Sequence, residues 1–166
     1  MVREGTRLSA DLLRASLSST RTELAEVFPH LTDDMLAWAP SEGMRSIHGQ
    51  LVEILGTEVQ ILQAIKGGPK RDYEDIEAEY WAVKTVAGLI KELKNVRANT
   101  LDALTQLTED QLHEPATISE GFAKYLELEA VPKGELFRFI VRHEAYHTGQ
   151  LASYLWARGD NPYNWN

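Results

Sequence analysis

Two histidines one helical turn apart are the residues most able to carry chemistry in this sequence. His143 and His147 lie in the stretch HEAYH, which matches the H-E-x-x-H pattern of zinc proteases. In those enzymes both histidines bind the metal, and the glutamate, here Glu144, acts as general base. A zinc protease needs a third ligand downstream, yet residues 148–166 contain no Glu and no His, and Asp160 is their sole acidic residue. The protease interpretation is therefore disfavoured, and a third ligand is expected upstream.

The positions around the pair indicate that both imidazoles point into a helical interior. Residues four apart lie about 40° apart around a helix, so His143 and His147 share one face. Ile140, Leu151 and Tyr154 lie on the same face. Two imidazoles in an apolar stripe need partners, and one metal ion satisfies both. The spacing therefore predicts a metal site rather than two core histidines.

A di-iron centre is a further interpretation, and the sequence disfavours it as well. Di-iron bundles use two Glu-x-x-His motifs and two more glutamates. Glu144 and His147 form one such motif. The nearest approach to a second one, Asp110 with His113, contains an aspartate and lies near the end of a predicted helix.

The composition limits the ligands and the partners. The chain has 166 residues, the length of one domain, and no cysteine, which excludes disulfides, thiolate ligands and a cysteine nucleophile. Its formal net charge is -8 without a Lys/Arg cluster, so neither nucleic acid nor an anionic membrane surface is an expected partner. The first residues contain no apolar run of signal-peptide length, and we expect a cytoplasmic protein.

Four long helices are predicted from apolar residues that recur every three to four positions. They run from about Leu8 to Phe28, from the N-cap Ser46 to the breaker at Gly67, from about Trp81 to Leu107, and from about Glu135 to Arg158 before a C′ glycine at Gly159. Residues 117–131 are expected to form either a short strand or another helical turn. The pattern predicts an all-α fold over residues 1–166, a single four-helix bundle with long crossover loops.

The stretch HEAYHTGQLASYLWARGDNP resembles the last helix of the DinB-like bundle proteins, which include the YfiT-like metal-dependent proteins. The matching positions are His143, His147, Gly149, Gln150, Arg158, Gly159 and Pro162. Upstream, the segment from Leu31 to Pro40 and the residues Arg45, Ser46 and Ile47 resemble the start of the family's second helix. The resemblance covers nearly the whole chain. It implies a DinB-like four-helix bundle with a divalent metal, often zinc or nickel, held by one histidine of the second helix and two of the fourth.

The second predicted helix departs from that pattern. Alignment on Ser46 and Ile47 puts the family's ligand at Glu53, while a histidine stands at position 48. Glu53 and His48 lie about 140° apart around the helix and cannot both face one metal. We favour Glu53, on a polar side that is either a cleft wall or a solvated face; two histidines and a carboxylate suit zinc, iron or manganese. His48 is the alternative third ligand, and loss of the site is a third possibility.

Three further features of the sequence have two interpretations each. Glu58 lies near the centre of an apolar face, where it either accepts a hydrogen bond from a ligating histidine or forms a salt bridge with an arginine such as Arg138 or Arg142. Gln150 either binds a water or substrate or only packs. The aromatic residues near the carboxyl end are expected mostly to pack over the bundle, and an exposed set would suit a dimer interface. These residues are Tyr146, Tyr154, Trp156, Tyr163 and Trp165.

Two functions of different classes follow. Three protein ligands leave a coordination position open, which is typical of a catalytic metal that lowers the pKa of a bound water or activates a thiolate. The resemblance implies a homodimeric hydrolase, or a transferase of low-molecular-weight thiols such as bacillithiol or mycothiol, acting on a small-molecule substrate. The absence of cysteine fits a thiol that arrives as cosubstrate. The alternative is a non-catalytic, stress-associated bundle that binds a ligand or partner and has a degenerate metal site.

Overall fold

Helices make up the regular structure of the chain. The computed structural model describes residues 9–165, so Leu8, the predicted start of the first helix, lies outside the described residues. The α-helices are α1 Ala10–Val27, α2 Ile47–Lys66, α3 Tyr73–Trp81, α4 Val86–Thr105, α5 Glu109–Leu112, α6 Glu120–Tyr125 and α7 Lys133–Ala157, with 3₁₀ turns at Phe28–His30, Asp33–Met35 and Pro162–Asn164. The predicted all-α fold is confirmed. No α-helix in the described range has both the length and the hydropathy of a bilayer-spanning segment.

The predicted ends of α2 and α7 are confirmed by their capping geometry. The Ser46 hydroxyl accepts a hydrogen bond from the Gly49 amide at 3.1 Å and starts α2. Gly67, with φ at +71°, ends it, because a residue with a Cβ rarely adopts that conformation. Gly159 plays the same part just after α7, with φ at +93°.

The third long helix starts later than predicted. It begins at Val86, whereas Trp81, the predicted start, is the last residue of a separate helix, α3. The Thr85 hydroxyl accepts from the Gly88 amide at 3.1 Å, which caps the new helix and turns the chain. Helix α3 was not predicted, because it is short and buries a single pair of residues one turn apart, Ile76 and Tyr80.

The ambiguous segment 117–131 contains the short helix α6, so the helical alternative is confirmed and the strand is wrong. Ser119 caps α6 by accepting from the Phe122 amide at 3.2 Å. The ring of Phe122 meets that of Phe139 edge to face, 5.0 Å between centroids. Phe139 in turn stacks on His143 at 5.8 Å, so α6 lies beside the histidine face of α7.

A polar layer divides the core of the bundle into two apolar clusters. The first cluster includes Leu24, Leu51, Leu93 and Leu155, and the second includes Leu17, Ile61, Leu104 and Phe137. Between them each long helix contributes one charged residue, and we call these four the core quartet: Arg21 of α1, Glu58 of α2, Arg97 of α4 and Glu144 of α7. Helix α7, which carries the histidine pair, packs on both α1 and α2.

The carboxyl-terminal aromatics only partly follow the packing prediction. Tyr154 is buried, and Trp165 stacks on His30 with ring centroids 4.1 Å apart. Tyr146, Trp156 and Tyr163 are exposed instead. An exposed aromatic surface is the kind that the dimer prediction requires, although the structure holds a single chain.

Candidate metal centre

Three side chains of α2 and α7 converge beside the polar layer, and we call them the ligand trio. Glu53, His143 and His147 each offer one ligand atom, and these atoms lie within 4.8 Å of one another. The Nε2 atoms of the two histidines are 3.1 Å apart, and His143 Nε2 lies 3.8 Å from Glu53 Oε1. The favoured trio from the sequence therefore meets in space, on helices that are far apart along the chain.

The spacing of these atoms fits a tetrahedral divalent ion. Donors about 2.0–2.2 Å from zinc at tetrahedral angles lie roughly 3.3–3.5 Å from one another. The observed separations of 3.1 and 3.8 Å bracket that value. A tetrahedral ion with three protein donors keeps its fourth position for water or substrate.

A chain of hydrogen bonds orients His147. Tyr154 donates its hydroxyl proton to the Arg45 carbonyl at 2.9 Å, and the same hydroxyl accepts from the Gln50 amide nitrogen at 3.1 Å. Gln50 Oε1 then faces His147 Nδ1, and because an amide oxygen can only accept, Nδ1 carries the proton. The lone pair of His147 is left on Nε2, which faces His143, as metal ligation requires.

Electrostatics keep two of the trio in the protonation states that bind metal. Burial, and then the neighbouring His143, lowers the pKa of His147 to about 4, so this imidazole is neutral at neutral pH. The neighbouring His143 imidazole holds the pKa of Glu53 below its usual range, and the charge of Arg45 adds to the effect. A neutral imidazole and an ionised carboxylate need lose no proton before they bind a cation.

An open cavity of about 560 Å³ leads to the ligand trio. Its walls are formed by Arg45, Glu53, Tyr125, Phe139, Arg142, His143, Tyr146 and His147. The volume lies in the range of small-molecule sites. Glu53 and His143 are half-buried and His147 is buried, so a small molecule in the cavity can reach the ligand atoms. The polar side of α2 that carries Glu53 is thus a cleft wall rather than a solvated face.

Arg45 lies at the mouth of this cavity and already pairs with the carboxylate of the trio. Its Nη2 is 3.1 Å from Glu53 Oε2. The side chain passes over Gly49, where an added Cβ would lie only 2.5 Å from Arg45 Cγ. Glycine at this position therefore leaves the path to Glu53 free. Arg45 competes with a cation for the charge of Glu53.

Glu144 is not placed to act as the general base of a zinc protease. Its carboxylate is 1% exposed and pairs with Arg21 at 2.8 Å and Arg97 at 2.7 Å. It points into the centre of the bundle, whereas His143 faces the cavity. The H-E-x-x-H match thus combines a histidine pair with a buried ion-pairing glutamate that serves the core.

Glu58 forms the salt bridge that the sequence suggested, but with other arginines. The prediction of Arg138 or Arg142 as the partner is wrong. The partners are Arg21 at 3.0 Å and Arg97 at 2.7 Å. Glu58 points to the centre of the bundle, where α1 and α4 reach it, while both arginines of α7 are exposed. The alternative of a hydrogen bond from a ligating histidine is also wrong.

His48, the alternative third ligand, lies apart from the trio. Its ring meets that of Trp81 at 4.6 Å between centroids, and its Nε2 is 3.3 Å from the Tyr80 carbonyl oxygen. It therefore packs under α3. Among the described residues, Glu53 is the side chain of α2 that joins the histidine pair.

Arg45, Gln50 and the Tyr154 hydroxyl shape the site, although the sequence predicted no role in it for any of them. Two sequence positions could have indicated these roles. Gln50 lies one turn before Glu53, and Tyr154 lies two turns after His147 on the histidine face. The role of Gln150 stays a prediction. Its Oε1 is buried and has no hydrogen-bond partner among residues 9–165.

Comparison with known proteins agrees with this architecture. The family model of the DinB superfamily matches residues 16–151, which is most of the chain. This chain belongs to the DinB superfamily. No curated protein matches the sequence of this DinB-superfamily protein.

Solved structures share its fold at low sequence identity. An uncharacterised protein from Escherichia coli UTI89 has a TM-score of 0.69 at 13% identity, over 91% of this chain and 95% of that one. The colibactin self-resistance protein ClbS, solved in complex with a double-stranded DNA, has 0.68 at 12% identity, over 90% and 96%. The DinB-like protein YjoA from Bacillus subtilis has 0.60 at 20% identity, over 89% and 92%. At these identities the likeness shows the fold alone.

Proposed function

We propose that the ligand trio holds a divalent metal ion and that this DinB-superfamily protein is a metal-dependent enzyme acting on a small molecule. Zinc and nickel are the first candidates, with iron and manganese as alternatives. The observation that carries the proposal is the convergence of three ligand atoms, within 4.8 Å, at an open cavity. Two histidines and one carboxylate form a ligand set of catalytic zinc sites.

The chemistry fits two reaction classes, hydrolysis and transfer of a low-molecular-weight thiol. A bound divalent ion supplies Lewis acidity, which lowers the pKa of a water or a thiol. The residues of the chain position that chemistry: Gln50 holds the ligand tautomer of His147. Tyr125, Phe139 and Tyr146, which we call the aromatic wall, line the cavity beside it. Since the sequence has no cysteine, any thiol must arrive as cosubstrate.

Metal content is the first test. Protein purified without chelator or nickel resin is analysed for elements, with Glu53→Ala, His48→Ala and His147→Ala beside the wild type. We expect about one metal ion per chain in the wild type and in His48→Ala, and loss of metal in the other two variants. A wild type that stays metal-free after incubation with zinc, nickel or manganese would refute the proposal.

One observation favours the non-catalytic alternative. Glu53 already has a cationic partner in Arg45, so its charge is compensated without a metal. A bundle that only binds a ligand would keep this ion pair and show no metal-dependent turnover. Assays for ester hydrolysis and for thiol conjugation, run with metal-loaded wild type and His147→Ala, separate the two functions.

DNA binding and dimerisation each need a separate test. The DNA in the ClbS structure raises duplex DNA as a ligand, but we propose that this chain does not bind it, because a net charge of -8 opposes contact with phosphates. Fluorescence anisotropy of a labelled duplex at physiological salt tests this.

The exposed Trp156 and Tyr163 support a homodimer, which light scattering after size exclusion would detect. The cytoplasmic location stays a prediction.

A further inference from the structure

We propose that the substrate of this cavity is a small molecule with a carboxylate, which Arg45 and Arg142 bind, and with an apolar or aromatic body, which contacts the aromatic wall. The inference rests on the proposed function, because it concerns the same cavity. It adds the substrate class that the ligand trio by itself leaves open.

The charge of the cavity is the first observation. The chain as a whole carries a formal net charge of -8, yet the cavity wall holds two arginines and a single carboxylate, Glu53. Since a divalent ion bound to the trio would share the charge of Glu53, Arg45 would lose much of its partner's charge. A concave, locally positive site on an acidic protein attracts and retains anions.

The second observation concerns Arg142, whose charge no carboxylate of residues 9–165 compensates. Among residues 9–165 no carboxylate lies within 4 Å of it; its guanidinium lies over the Phe139 ring, 5.2 Å from the centroid. Arg138, one turn earlier on α7, pairs with Glu135 at 3.0 Å. The ring holds the Arg142 guanidinium at the cavity wall, where its planar set of donors can bind a carboxylate with two hydrogen bonds.

The aromatic wall is the third observation. Tyr125 and Tyr146 line the cavity although they are 68% and 63% exposed. Tyr125 meets Phe139 edge to face at 6.3 Å between centroids, so the wall extends from α6 to α7. Rings that are left open beside a charged group suit a ligand that is apolar at one end and anionic at the other.

Three probes with the same ring test the proposal: benzoate, benzyl alcohol and benzylamine. Each is titrated by calorimetry into the zinc-loaded wild type, Arg142→Gln and Arg138→Gln, whose altered arginine does not line the cavity. We expect the wild type to bind benzoate at least about tenfold more tightly than the other two probes. Arg142→Gln should lose most of that preference and keep its affinity for benzyl alcohol, while Arg138→Gln should match the wild type.

Two results would overturn the proposal. One is equal affinity of the wild type for all three probes. The other is an unchanged benzoate affinity in Arg142→Gln, which would mean that Arg142 does not bind the carboxylate. Zinc content is measured on the same samples. If one zinc ion per chain is bound and either result is obtained, the proposed substrate class is refuted but the metal site is not. If the wild type holds no zinc, the proposed function fails, and dependence of benzoate binding on Arg142 then supports or refutes the anion site separately.

Discussion

The core quartet and the ligand trio are two clusters of ionisable residues built partly on the same two helices, α2 and α7, and they differ in whether their charges are satisfied. In the quartet, two arginines face two glutamates at 2.7 to 3.0 Å, with side chains at most 14% exposed. In the trio, two imidazole nitrogens and a carboxylate face one another at an open cavity. The quartet is complete without a ligand, whereas the trio presents lone pairs that a cation would satisfy.

Rotation around the helix separates the two clusters. Glu53 and Glu58 are five positions apart on α2, which turns them about 140° from each other, so one faces the cavity and the other the bundle centre. On α7, Glu144 lies beside His143 in sequence yet points into the core. The same residue type therefore lies in a closed ion-pair cluster in one direction and at an open cavity in the other.

The largest expected effect concerns the quartet. Glu144→Ala leaves Arg21 and Arg97 with one carboxylate between them in a buried layer, and we expect the free energy of unfolding to fall by about 3–5 kcal/mol. Urea denaturation of chelator-treated protein measures this. Glu135→Ala, which breaks the more exposed pair with Arg138, is the control and should cost less than about 1 kcal/mol. Equal losses in the two variants would mean that the quartet is not the stabilising cluster.

The next effect concerns the histidine pair. His147→Ala removes a ligand, and we expect metal affinity to fall by more than the roughly 10–100-fold that loss of an outer-shell partner costs. Its effect on unfolding without metal should be smaller than that of Glu144→Ala, because His147 belongs to the open cluster. Competition with a chelating dye measures the affinity. Unchanged metal affinity would mean that the trio is not a metal site.

The third ligand is tested by exchanging ligand types at one position. Glu53→His keeps a donor at the same place and should retain metal, whereas Glu53→Ala should lose it. His48→Ala should bind metal like the wild type, because His48 packs under α3. Loss of metal in His48→Ala with retention in Glu53→Ala would reverse the assignment.

A smaller effect is expected from the residue that orients the trio. Gln50→Leu removes the acceptor of the His147 Nδ1 proton, and we expect metal affinity to fall roughly 10–100-fold. Gln60→Leu makes the same change at an exposed position of α2 and should have no effect. If the two variants bind metal equally well, the hydrogen-bond chain does not prepare the ligand.

The smallest effect has the opposite sign. Arg45→Gln removes the cation that competes for Glu53, so metal affinity should rise by a few fold, since a partly exposed ion pair is weak. The same chelator competition, repeated at high salt, should show a smaller difference because salt screens the pair. A fall in affinity would show that Arg45 supports the trio rather than competing with it.

The four long helices, the caps of the second and fourth of them, and the histidine pair could be predicted from the sequence. Each of these depends on local spacing: apolar residues every three to four positions, a hydroxyl at Ser46, and two imidazoles one turn apart on α7. Helix α3 was missed, because nine residues with two buried side chains give too short an apolar pattern to predict a helix.

Which side chains meet depends on how the helices pack, and the sequence did not reveal it. Glu53 and His48 were both admissible ligands on α2, and the choice depends on how that helix is rotated against α7. The partners of Glu58 come from α1 and α4, and no spacing along α2 or α7 reveals them. Local sequence sets the direction of a side chain around its own helix, but packing of the apolar faces sets what lies opposite, and that arrangement separates the closed quartet from the open trio.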